Sequence, residues 1–304
     1  MRTRSLGNNG PEVSLVGLGT NNFGPRIDYD RSLAVIDAAL DAGITLLDTA
    51  DIYGQGKSEE IIGRALEGRR EGVLIATKFG KPMDERPEER RGSPAYIHAA
   101  CEASLRRLRT DVIDVYQMHE PDEGTPIEET LGALDDLITA GKVRYIGSSN
   151  YSAEQIEEAD RAAGERKLTR FVSAQNHYSL VERDIEDDML PTCERLGIGM
   201  LPYFPLASGL LTGKYTRGET ATEGRLAGRE IPDARWDRLA RLNDFATERR
   251  IPLLSLAIGG LAAMPAVASV IAGATTPEQV RANVTAGAWE PTGADLDALQ
   301  ALRV

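Results

Sequence analysis

Residues 44–80 read ITLLDTADIYGQGKSEEIIGRALEGRREGVLIATKFG. Two short apolar runs rich in branched residues, Thr45–Leu47 and Val73–Thr77, flank an amphipathic stretch in which Ser58 precedes EEIIGRAL as a helix-start signal. Strand, helix and strand in this order predict two parallel strands, because parallel neighbours need a crossover connection. The same kind of run recurs at Val16–Gly19, Ile113–Gln117, Val143–Ile146, Phe171–Ala174, Ile198–Pro202 and Ala268–Ala272. Between the runs lie stretches of helical period, such as Ser32–Ala42 and Tyr96–Leu108, the latter with Ile97, Cys101, Leu105 and Leu108 on one face. Ser152 before AEQIEEA and Pro277 opening EQVRANV mark further helix starts. Eight strands alternating with helices predict an α/β fold, a (β/α)8 TIM barrel, which takes roughly 250 residues. Arg4–Leu6 and Val13–Leu15 flank Asn9-Gly10 and predict a β-hairpin that caps the barrel bottom. With no linker-like segment, residues 1–304 are expected to form one domain.

Composition narrows the function. Apolar residues make up 41% of the chain and the net charge is −12, so a large core is expected and contact with nucleic acid or anionic lipid is not. Cys101 and Cys193 lack partners at redox or metal spacing and read as reduced core thiols. The N-terminal MRTRSLGNNG lacks a signal peptide's apolar run, and Leu253–Val270 is broken by Ser255, Gly259, Gly260 and Pro265. No membrane association is expected, and the expected location is cytoplasmic. The histidines, His98, His119 and His177, have no metal-ligand spacing, so no metal is expected and a metal-dependent barrel hydrolase is disfavoured.

A barrel enzyme places its chemistry at the C-terminal ends of its strands. LLDTADIYG, IATKFG and VYQMHEPD put Asp48, Lys78 and His119 at such ends, with Tyr53 one loop beyond Asp48. Carbonyl reduction develops negative charge on oxygen, which needs a proton or a hydrogen-bond donor. A phenol ionises near ~10, and a neighbouring ammonium lowers that value. Lys78 is expected to supply the ammonium, Asp48 its counter-ion, His119 an orienting donor and Tyr53 the proton.

From Gly17 to about Asn283 the chain resembles the aldo-keto reductase family, in its bacterial general branch: DTADIYG, TKFG and MHEPD carry Asp48, Tyr53, Lys78 and His119 in that family's order. The resemblance implies a nicotinamide cofactor held by Gly19, Thr20, Asn21 and Asp48. It also implies Ser149 and Asn150 from GSSN, together with Gln175, on the carboxamide, and Tyr203 stacked on the ring, with Phe204 beside it. PLASGLLTGKY implies Leu206, Ser208, Gly209 and Lys214 around the pyrophosphate, and GATTPEQVRANV implies Gly273, Thr275, Gln279 and Asn283 at the adenosine end. The family's Lys, Ser and Arg for a 2′-phosphate are replaced here by Gly273, Ala274 and Gln279, leaving Lys214, Arg225 or Arg281 to compensate. NADPH is the expected cofactor and NADH the alternative.

The expected function is reversible NADPH-dependent reduction of small aldehydes or ketones by a monomer. The alternative is a cofactor-sensing regulatory subunit, as in the potassium-channel β-subunits of this fold. Phe23, Phe79 and His177 are the expected substrate-pocket residues, and the loop DERPEERR from Asp84 is expected to border the pocket. The chain's end at Val304, soon after the helix Asp295–Leu302, predicts an open pocket of broad specificity.

Overall fold

The computed structural model describes residues 1–84, 90–219 and 224–303. Two short antiparallel strands open the chain, β1 (Thr3–Ser5) and β2 (Glu12–Ser14), with Arg4 opposite Val13. Eight parallel strands follow: β3 (Val16–Gly19), β4 (Leu46–Asp48), β5 (Leu74–Phe79), β6 (Ile113–Met118), β7 (Val143–Ser149), β8 (Ser173–Gln175), β9 (Gly199–Met200) and β10 (Val270–Gly273). They pair in chain order, and β10 returns to pair with β3. The seam between β9 and β10 is closed by backbone bonds. Met200 N–H donates to the Ala266 carbonyl (2.7 Å), Ala268 N–H to the Met200 carbonyl (2.9 Å) and Ile271 N–H to the Pro202 carbonyl (3.0 Å). The sheet is therefore a (β/α)8 barrel.

The helices are α1 (Tyr29–Asp41), α2 (Lys57–Ala65), α3 (Pro94–Leu108), α4 (Ile127–Thr139), α5 (Ala153–Arg166), α6 (Met189–Leu196), α7 (Asp233–Glu248), α8 (Leu253–Ala262), α9 (Pro277–Ala286) and α10 (Gly293–Ala301). Ser152 and Gln155 form a reciprocal capping box at α5, and Thr276 caps α9 just before Pro277. Ser58 is not the cap of α2. Gly56, in the left-handed region at φ 91°, precedes that helix. Ser58 is buried inside the first turn, where its hydroxyl bonds Thr20 and Thr49 (2.9 Å each) and ties α2 to the ends of β3 and β4.

Alternation along the strands builds two cores. Side chains of period two point into the barrel, where Leu46, Ala76, Val115, Leu201, Ala268 and Ile271 pack together. Leu6 and Val13 of the hairpin join this inner cluster, and Asn8 N–H donates to the Gly197 carbonyl (2.8 Å) just before β9. The hairpin thus closes the N-terminal mouth. Outward residues such as Leu47, Ile75, Tyr116 and Ile146 pack under the helices. Cys101 and Cys193 are buried free thiols whose burial pushes each up to about 12, leaving them unreactive. Among the described residues no helix is long and apolar enough to cross a membrane.

Candidate active site

The strand alternation that fills the barrel also aims its chemistry. Asp48 lies two residues beyond inward Leu46, Lys78 two beyond Ala76, and His119 four beyond Val115, all on the inner face at the C-terminal mouth. Lys78 is fully buried. Its Nζ donates to both Asp48 carboxylate oxygens (2.9 and 2.8 Å) and to the Thr49 carbonyl (2.8 Å). Gln175 Nε2 donates to Asp48 Oδ1 (2.8 Å), so the carboxylate is held from two sides. The Tyr53 hydroxyl stands 3.5 Å from Lys78 Nζ, and its ring meets His119 edge-on at 6.0 Å. Acid, ammonium, phenol and imidazole converge as their strand positions predict.

Burial works to neutralise Lys78, but the charges of Asp48 and Tyr53 and the hydrogen bonds to both together outweigh it and raise the ammonium above its ordinary value. Burial also pushes the Tyr53 phenol up. Lys78 pulls it down without cancelling that effect, so the phenol stays protonated and its ionisation is not brought below the ordinary range as the ammonium neighbour alone predicts. His119 is driven down to about 2 by burial and by Lys78 and Lys81, so its ring is neutral. Its Nδ1 is buried and has no hydrogen-bond partner.

Asp48, Tyr53 and His119 border a cavity of about 560 Å³, with Lys78 buried behind them. Ser149, Asn150, Gln175, Tyr203 and Phe204 also line it. The rest of the lining comes from the loop after β3 (Gly19, Thr20, Asn21), the loop after β9 (Leu206, Ser208, Gly209, Lys214, Arg225) and the segment from the end of β10 into α9 (Gly273, Thr275, Gln279, Asn283). Ser208 and Gly209 both adopt positive φ (60° and 95°), a turn that brings backbone against the cavity. Arg225 bonds the side-chain carbonyls of Asn21 and Asn22 and lies over the Phe204 ring at 5.2 Å, joining the loop after β9 to the loop after β3.

Three pocket expectations fail. Phe79 directly follows inward Lys78, so alternation turns it outward, where it is fully buried and stacked on Tyr116 at 4.7 Å. Phe23 is fully buried in the outer core. His177 does not line the cavity; it stacks on Tyr203 at 5.4 Å. Arg281 is also misplaced. Gln279 and Asn283 share a helical face at a spacing of four, whereas Arg281 sits between them, exposed and paired with Glu278 at 3.5 Å. The core of the DERPEERR loop, residues 85–89, lies outside the described residues. Arg26 and Lys81 line the cavity without having been expected to. Both stand in loops after strands β3 and β5, the signal that could have found them. Among the described residues no group of three or more His, Cys, Asp and Glu is placed to hold a metal ion.

A model of the aldo/keto reductase family matches residues 15–303. The chain is 38% identical over 293 residues to an uncharacterized oxidoreductase, YrpG, of Bacillus subtilis (strain 168), covering 92% of this chain and 89% of that one. It is 36% identical over 301 residues to a probable voltage-gated potassium channel subunit beta of Arabidopsis thaliana, covering 94% and 91%. The solved holo form of aldo-keto reductase AKR11C1 from Bacillus halodurans superposes with a TM-score of 0.83 at 34% identity, covering 99% of this chain and 96% of that one. With the motif residues at one barrel mouth and a family match over nearly the whole length, the chain belongs to the aldo/keto reductase family.

Proposed function

We propose that this protein reduces small aldehydes and ketones with NADPH, reversibly. The observation that carries the reading is the buried Lys78 ammonium, fixed on Asp48 and set 3.5 Å from a protonated phenol at the cavity wall. The cavity suits a nicotinamide dinucleotide. Asn150 and Gln175 offer side-chain amides at the reaction end, and Tyr203 offers an aromatic face. Arg26, Lys214 and Arg225 form no ion pair among the described residues, so three cations on an acidic protein face one cavity and favour a phosphate-rich ligand. The bound cofactor supplies the hydride.

This chain's residues manage the proton. Tyr53 donates it to the carbonyl oxygen as charge develops there. Lys78 stabilises the phenolate left behind, and Asp48 keeps the ammonium in place. Neutral His119 orients the carbonyl as a hydrogen-bond donor, and its lack of charge spares Lys78 a like-charge neighbour.

Steady-state NADPH oxidation with 4-nitrobenzaldehyde or methylglyoxal tests this. Wild type is expected to exceed Tyr53→Phe in kcat by about 10²–10⁴-fold; equal rates would sink the reading. A second reading is a cofactor-sensing subunit, favoured by the likeness to proteins named as potassium channel β-subunits in Arabidopsis thaliana and rice. It predicts tight NADPH binding without turnover above that variant.

A further inference from the structure

His119 has an unusual problem for a group that must aim a hydrogen bond. Its Nδ1 is buried and unpartnered, so no side-chain bond sets the angle of the ring. Its orientation therefore depends on how its backbone and ring edge are held. Three contacts do so: His119 N–H donates to the Phe79 carbonyl (2.7 Å), the ring packs edge-on to Tyr53, and the His119 carbonyl accepts from Asn150 Nδ2 (2.9 Å).

Asn150 is itself strained, at φ 60° in the left-handed region. Its backbone N–H donates to the Gln175 carbonyl (3.0 Å), and its side chain is gripped at both ends. The His119 carbonyl can only accept, which fixes Nδ2 toward it and leaves Oδ1 as an acceptor. The Tyr203 hydroxyl fills that role, donating to Asn150 Oδ1 at 2.8 Å. The Tyr203 ring is flanked by His177, stacked on it at 5.4 Å with 13° between planes, and by Phe204, edge-on at 5.3 Å. A chain of contacts thus runs from His177 through Tyr203 and Asn150 to His119.

We infer that Tyr203 acts in this reaction through its hydroxyl as well as its ring: it is a positioning residue that sets His119 by way of the Asn150 side chain. The inference rests on the reductase reading for the role of His119, but the relay itself is a property of the free protein. Tyr203→Phe removes the donor and keeps the ring, which leaves the aromatic wall in place.

Two measurements test it. The first needs no turnover. The chain has three histidines, so the imidazole Hε1 signals of the free protein are assignable by substitution. Tyr203→Phe is expected to shift or broaden the His119 signal while leaving His98 unchanged; an unmoved His119 signal overturns the inference even if the protein proves inactive. The second is kinetic. At saturating NADPH, Tyr203→Phe is expected to lower kcat/KM for 4-nitrobenzaldehyde about fivefold to tenfold, the worth of one such hydrogen bond. In a His119→Gln background the same substitution is expected to add nothing. An equal loss in both backgrounds, or a loss confined to NADPH affinity, overturns it, whereas absent turnover in wild type counts against the reductase reading alone.

Discussion

Each mouth of the barrel buries a charge, and the two charges are held differently. Near the N-terminal mouth the Asp114 carboxylate, 1% exposed, is met by Arg70, by Arg144 at 2.7 Å and by the Ile75 N–H at 2.8 Å. Near the C-terminal mouth Lys78 is equally well paired with Asp48. Its surroundings, however, keep a phenol 3.5 Å away and an imidazole nitrogen without a partner, beside an open cavity. Both networks resolve the cost of burying an ion. Each keeps a buried nitrogen without a partner, Arg70 Nε in the first and His119 Nδ1 in the second, but only the second borders the cavity, and that difference sets the two clusters apart.

The sharpest way to break this comparison is to unpair each charge. Lys78→Met leaves Asp48 buried with only Gln175 to bond it. It is expected to cost about 3–5 kcal/mol by chemical unfolding and to abolish turnover. Asp114→Ala removes charge-assisted bonds from two partly exposed arginines and a buried N–H, for about 2–3 kcal/mol. Turnover per folded molecule should stay at the wild-type value; a matching loss of activity would show the two mouths to be one coupled network.

Acid sharpens it further. His119 is held neutral in the fold down to about 2, whereas the unfolded chain takes up a proton near 6.5. Stability is therefore lost as pH falls below 6.5, with a slope of up to about 1.4 kcal/mol per pH unit from this one group. Unfolding free energies between about pH 6 and pH 5 should fall less steeply in His119→Gln than in wild type. A parallel pair of curves would mean that the imidazole is not the acid-sensitive element of the upper mouth.

The smallest expected effect separates cavity cations from surface ones. Lys214→Ala is expected to weaken NADPH binding about tenfold, the worth of one charge-assisted contact, and Arg281→Ala to leave it unchanged. An Arg281→Ala loss equal to that of Lys214→Ala would return Arg281 to the cofactor site.

Much of this was legible in the chain. Short branched runs separated by amphipathic helices require parallel strands, and the strand-end rule then picks out Asp48, Tyr53, Lys78 and His119 before any coordinates exist. What failed was orientation at single-residue resolution. Phe79 and Lys78 are neighbours in sequence, yet pleating sends one into the helix layer and the other into the barrel. Ser58 looks like a cap, but burial gives its hydroxyl other partners.

The sequence by itself determined the fold class and which polar groups stand at the strand ends, because period, turn chemistry and strand ends are local properties. Only the tertiary structure decided which side wins at Tyr53, where burial outweighs the Lys78 charge. It alone also showed that burial drives His119 far below its ordinary value, that the Asn150 amide donates to the His119 carbonyl, and that Arg281 pairs with Glu278 outside the cavity lining. Those outcomes depend on desolvation and on contacts between residues far apart in the chain, which no local pattern records.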